Sequence, residues 1–293
     1  MIVVRIWEGL GNQMFQYAYA RALQKNMKQK VVLEAKRMYK EVLPYEDVNV
    51  ERKCGLQHFN ITLKFIKPEY LKGWKYLRQK NYIERIKFRL AQHDFTKFKF
   101  ANDFDNQCEY NERLLQLRGN YYVMGHFFHR KYLETVREEL LQEFTIKNER
   151  QWPGELKKVL EEENTISVHI RRGDYLYAEC AKAISHEMEK GKYYERAFKY
   201  LIDRDDNPVI LFFSDDIEWV KENFVCEFKH FFVSEMGLKD YEEMMVMARC
   251  KNNIIANSTF SFWGGWLNQN PDKIVIAPKH WLTSIIPKGW ILL

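Results

Sequence analysis

The stretch best equipped for chemistry is residues 165–174, TISVHIRRGD, where an alternating β-branched run leads into a histidine, two arginines, a glycine and an aspartate. Ile166, Val168 and Ile170 read as a buried strand, and Gly173 punctuates its end. Arg171 and Arg172 then stand where a parallel strand of an open α/β sheet meets its ligand crevice. Two guanidiniums there suit an anionic ligand, because arginine offers forked donors matched to phosphate or carboxylate and keeps its charge. An arginine pair after a strand serves equally as a surface ion pair, so this block alone leaves both readings open.

Two other apolar runs end in polar clusters. VILFF (209–213) is followed by Ser214, Asp215 and Asp216, and a later strand is followed by Asn257, Ser258 and Thr259, which lead into Phe260-Ser261-Phe262-Trp263. In a parallel sheet all three strand ends point to one edge and can converge on one ligand. Ser258 and Thr259 begin a helix, whose free N–H groups and positive dipole end accept phosphate; plain helix capping is the simpler account of the same residues. Asp216 is expected to cap the helix after it, which leaves Asp215 to face a ligand.

The loop Gly9-Leu10-Gly11-Asn12 invites a dinucleotide reading, but Met14 stands where the third glycine of G-x-G-x-x-G belongs. The loop still allows close backbone approach to a ligand, and a tight turn explains it as well. Asp103-Phe104-Asp105 is formally a D-x-D metal motif, yet it follows a basic aromatic run and is read as a turn. No metal site is expected.

These residues must be held by a scaffold, and the periodicity supplies one. Strands are expected at 2–7, 30–34, 121–125, 165–170, 209–214, 228–233, 252–256 and 273–277. Helices are expected at 12–27 with Asn12 as its cap, in much of 61–90, and at 131–144, 193–203, 216–224, 240–250 and 260–268. Strands alternating with helices indicate parallel sheets covered on both faces, here two Rossmann-like domains facing a cleft. The turn-like Trp152-Pro153-Gly154 places the boundary between domains 1–152 and 153–293.

The chain has 293 residues, 46% hydrophobic and 29% charged, a globular composition with no low-complexity tract. Its apolar runs are far shorter than the ~20 residues of a membrane span. MIVVRIWEGLG has no basic leader and reads as a first strand rather than a signal peptide. Five scattered cysteines with no C-x-x-C pattern read as reduced thiols of a cytoplasmic protein, without zinc. Of the net charge of +6, residues 61–100 carry eleven Lys/Arg against three Asp/Glu, with nine aromatics interleaved. That segment reads as a solvated helical face, or as a peripheral attachment surface for anionic lipid on the inner face of the membrane. No nucleic-acid motif accompanies it.

GLGNQMFQYAYARAL (9–23), GHFFHRKYLE (125–134), HIRRGDY (169–175), FFSDDIEWV (212–220) and ANSTFSFWGGWLN (256–268) together resemble the bacterial-type alpha-1,2-fucosyltransferases of glycosyltransferase family 11. The blocks occur in that family's order, and the first and last are the most specific. The resemblance implies a GT-B-like fold with an acceptor-side N-terminal domain, GDP-β-L-fucose as donor, and inverting transfer to the 2-hydroxyl of a terminal galactose. The acceptor is then a free oligosaccharide or a lipid-linked glycan, and no resident cofactor is implied. Carried over by position, Arg171 binds the diphosphate and His169 lies against the nucleotide. Asp215 falls on the guanine side, Asn257, Ser258, Thr259, Phe260 and Ser261 in the phosphate-side loop, and Asn12 near the sugar–phosphate end.

The run His126-Phe127-Phe128-His129 departs from the family's Tyr-Trp-Gln-Ser-like run, Phe262 replaces a second tryptophan, and 174–193 matches poorly. These departures bear on acceptor choice more than on reaction type. For a proton acceptor, Asp174, Glu179 and His186 are candidates by position alone, and Asp174 serves as well to orient Arg172. A non-catalytic glycan-binding protein, or a transferase of another nucleotide sugar on the same fold, remains the rival reading.

Overall fold

A computed structural model describes residues 1–35, 53–66, 98–103, 108–173, 192–204 and 207–293. The basic stretch 67–97, the position of Asp105, and the candidates Asp174, Glu179 and His186 lie outside these residues. The chain forms two α/β units that divide between Thr145 and Ile146, each built on a parallel sheet as expected. The division falls a few residues before the Trp152-Pro153-Gly154 turn, and Trp152 packs into the core of the second unit.

The first unit has strands β1 (Ile2–Arg5), β2 (Val31–Glu34), β3 (Lys99–Asn102) and β4 (Tyr121–Met124), all parallel, in the order β2-β1-β4-β3. Helix α1 (Leu10–Met27) crosses from β1 to β2 and is buried on nearly every side, including Phe15, Tyr17 and Tyr19. A helix buried on nearly every side belongs inside a core, and its polar side chains must then find partners. Its burial is locked by polar contacts: the Tyr17 hydroxyl donates to Glu143, Arg21 pairs with Glu143 at 2.9 Å, and Thr62 Oγ1 donates to the same carboxylate at 2.9 Å.

The helix expected over 131–144 is two helices, α2 (Arg130–Glu134) and α3 (Arg137–Glu143). The Thr135 hydroxyl donates to the carbonyl of Lys131 at 2.8 Å, a side-chain bond that competes with the helical ladder. Val136 follows with φ −130°, outside helical geometry. Strand β3 escaped sequence reading because it is largely exposed at an edge and carries no alternation; its pairing to β4 defines it.

In the second unit, strands β5 (Thr165–Ile170), β6 (Val209–Ser214), β7 (His230–Phe232), β8 (Asn252–Ile254), β9 (Val275–Ala277) and β10 (Ile291–Leu292) form one parallel sheet, ordered β10-β9-β8-β5-β6-β7. Both faces are covered, so alternate residues of one strand enter different cores. Ile210 and Phe212 pack with Tyr193, Ala197 and Leu201 of helix α5 (Tyr193–Ile202) and Val220 of helix α6 (Ile217–Asn223). Val209, Leu211 and Phe213 face helix α4 (Gly154–Glu162) and Val246 and Met247 of helix α7 (Asp240–Arg249). Helix α8 (Thr259–Leu267) packs on α7 at Gly264, where a Cβ would lie 2.7 Å from that of Met247. Only glycine permits that approach.

Candidate active site

The strand order of the second unit explains why its polar strand ends meet. From β5 the chain builds outward through β6 and β7, then returns to lay β8, β9 and β10 on the other side of β5. The reversal opens a crevice beside the carboxyl end of β5, the ligand position in open α/β sheets. β8, β5 and β6 are neighbours, so the clusters at 257–261, 169–173 and 214–216 stand side by side.

The two arginines, equivalent by sequence, differ in their surroundings. Arg172 is locked: its guanidinium lies 3.6 Å from the centroid of the Trp219 ring, and its Nε is 3.2 Å from Asp216 Oδ2. Asp216 also accepts from the Trp219 N–H at 3.4 Å, the expected cap of α6. Arg171 is aimed instead by Asp215, whose Oδ2 lies 2.8 Å from its Nη1, and about a quarter of each side chain stays exposed. Asp215 Oδ1 accepts the Arg172 backbone N–H at 2.9 Å, so this carboxylate ties the first junction to the second. A cavity of about 680 Å³, walled partly by Phe198, Trp219 and Phe224, opens beside both arginines.

Gly173 makes this tie possible. A Cβ there would overlap the Asp215 carboxylate and sit 3.0 Å from its Cγ. Gly173→Ala is therefore expected to push Asp215 off Arg171 at nearly unchanged melting temperature, since the loop end lies outside the core, and to weaken binding of an anionic ligand at this junction ~10-fold. Calorimetric titration with inorganic pyrophosphate checks this, and wild-type affinity would show that the tie is dispensable.

His169 is buried, and its Nδ1 has no hydrogen-bond partner among the described residues. Its ring meets that of Phe260 at 5.6 Å, linking the first junction to the third, and its carbonyl accepts from the Tyr194 hydroxyl at 3.1 Å. Burial, with the charge of Arg171 adding, pushes its pKa down to about 3. The imidazole is neutral at working pH and too weak a base to take a proton from a hydroxyl.

At the third junction Ser258 caps α8, its Oγ accepting the Phe260 N–H at 3.3 Å. Ser261 is fully buried, and its hydroxyl accepts from Ala256 N at 3.2 Å and donates to the carbonyl of Ser258 at 3.3 Å. It shapes the loop on which Ser258 and Thr259 stand. Asn257 is buried behind the cap, while Thr259 and Phe260 keep partial exposure.

Asn12 lies in the first unit. It is not the cap of α1, which begins at Leu10 after Gly9; it sits in the first turn, where its Nδ2 donates to Glu8. Asp103 is not an exposed turn residue. It directly follows β3, is 4% exposed, and its Oδ2 accepts the Phe127 N–H at 2.9 Å. Burial pushes its pKa up to about 7. Sequence reasoning missed Trp219, Glu8 and the use of His126. A tryptophan in the first turn after the Asp-Asp pair was the one local signal; the contact of Glu8 with His126 left none.

Residues 1–288 match the family described as Glycosyl transferase family 11. The chain belongs to that family. Among relatives, an O-antigen biosynthesis glycosyltransferase, WbnK, of Escherichia coli is 32% identical over 94% of this chain and 93% of its own length. An alpha-1,2-colitosyltransferase of the same organism is 31% identical, over 96% of this chain and 92% of the relative. A galactoside alpha-(1,2)-fucosyltransferase 1 of Ateles belzebuth is 25% identical over 88% of this chain and 62% of the relative. The chain is a glycosyltransferase of family 11, and among its described residues no helix is long and apolar enough to cross a membrane.

Proposed function

We propose that this chain moves L-fucose from GDP-β-L-fucose to the 2-hydroxyl of a terminal β-galactoside, with inversion and without a divalent metal. The observation that carries the reading is Arg171, aimed by Asp215 at the sheet's switch point beside the N-terminus of α8. The acceptor oxygen attacks the anomeric carbon on the face opposite the phosphate. The carbon–oxygen bond to the β-phosphate breaks, its electron pair leaves with GDP, and the proton of the acceptor hydroxyl passes to solvent water. Charge grows on the phosphate oxygens, where a fixed guanidinium and helix N–H groups stabilise it without reorganising. His169, neutral and dry, packs the nucleotide rather than moving the proton, and Asp215 falls on the guanine side. The lipid-linked form of the acceptor is supported by the O-antigen relative.

A second donor has its own support, because the colitosyltransferase matches at higher identity than the fucosyltransferase. One experiment separates the two: product analysis with purified protein, a β-galactoside, and GDP-fucose, GDP-colitose, GDP-mannose or UDP-galactose, each with and without EDTA. EDTA-insensitive transfer from GDP-fucose to the galactose 2-position is expected. Preference for GDP-colitose would reassign the donor, and loss of turnover with EDTA would overturn metal independence.

A further inference from the structure

We infer that Glu8 and His126 form a site on the first unit that reads a hydroxyl of the acceptor sugar. The inference rests on the proposed transfer to a glycan. It starts from topology: β1 and β4 are parallel neighbours, so the chain leaves the sheet at their carboxyl ends side by side, on one edge. The residues that follow them are Trp7 and Glu8 on one side and Gly125 and His126 on the other.

Both ends carry chemistry that fits a sugar. His126 Nε2 bridges the Glu8 carboxylate, at 3.2 Å from Oε1 and 3.0 Å from Oε2, and Asn12 Nδ2 donates to Oε2 as well. The Glu8 side chain keeps 22% exposure and that of His126 13%, so the carboxylate is held by its partners and still reaches the surface. The imidazole ring stacks on Trp7 and on Phe128, each at 4.9 Å between centroids. A carboxylate only accepts hydrogen bonds, so its ligand must donate, as a sugar hydroxyl does.

Glu8 also adopts φ +64°, a left-handed conformation that glycine takes without strain. Glu8→Gly thus removes the carboxylate while suiting the backbone, and its melting temperature should equal or exceed that of wild type.

Steady-state kinetics of the full chain test the site. Glu8→Gly, Glu8→Gln and His126→Ala are expected to raise the acceptor KM about tenfold or more with the donor KM unchanged, a loss of binding rather than of nucleotide grip. Among acceptors lacking one hydroxyl each, one should be penalised by wild type and accepted equally by Glu8→Gln. Unchanged acceptor KM in all three variants overturns the inference, as does a fall in kcat at unchanged acceptor KM, which would make Glu8 a proton acceptor instead. Glycan-array binding of wild type and Glu8→Gly separates this failure from that of the proposed function. Loss of array binding in the variant of a wild type that transfers nothing would keep the site and sink the transfer. Transfer with normal KM in Glu8→Gly would do the reverse.

Discussion

Arg171→Ala is expected to slow sugar transfer ~10²–10³-fold, the cost of about 3–4 kcal/mol that follows loss of one preorganised charge-stabilising donor. The guanidinium is partly exposed at a strand end, so its removal opens no core cavity. Asp215 keeps the backbone N–H of Arg172, which preserves the loop, and the melting temperature should shift by little. Arg171→Lys is the informative companion. It retains the charge but not the planar fork, and should recover only part of the rate. Measured at saturating donor, wild-type kcat in a folded Arg171→Ala protein would remove Arg171 from the reaction. Arg172→Ala should behave differently: it breaks the stack on Trp219 and the pair with Asp216, and its effect should include lower stability.

The second large effect is a pH dependence of stability set by Asp103. Its carboxyl is raised from 3.8 to about 7 by burial, which outweighs the Phe127 N–H bond and the nearby His126. A folded-state pKa above the unfolded value means that the native protein holds its proton longer. The contribution is complete below about pH 4 and is lost as pH rises through about 7. The shift corresponds to an upper figure of ~4 kcal/mol between those limits. Glu243, raised to about 7 by burial and reached by the Ser234 hydroxyl at 3.2 Å, acts in the same direction. Asp103→Asn keeps an oxygen for the Phe127 N–H and has nothing to ionise, so above pH 7 it should be the more stable protein. Urea unfolding of both proteins from pH 4.5 to 8 reads the difference between them, which isolates this group from every other titration. Parallel curves would mean that Asp103 ionises freely in the native state.

The three strand ends of the second unit were legible because each is written locally. A fully buried strand reads as a short apolar run, and polar residues right after it mark the edge where the chain leaves the core. The cap by Asp216 was legible for the same reason, since a cap and its helix are neighbours in sequence. Helix α4, which the expected elements lack, does carry a local signal, because Leu156, Val159 and Leu160 keep a helical spacing. Strands β3 and β10 had no such signal: each is short, and pairing with a neighbour makes it a strand.

By itself, then, the sequence determined two parallel α/β units, the polar clusters at the strand ends of the second, and membership in a family of sugar transferases. These follow from periodicity and short motifs, in which the interacting residues lie within a few positions of one another. The tertiary structure alone decided which partner each charged group has. Arg172 is given to Trp219 and Asp216, Arg171 is left aimed by Asp215, and Ser261 is spent on its own loop. It also buried Asp103 and joined Glu8 to His126 across 118 positions. A charge pair or a buried carboxyl depends on distance and exclusion of water, and neither exists until strands far apart in the chain are laid side by side.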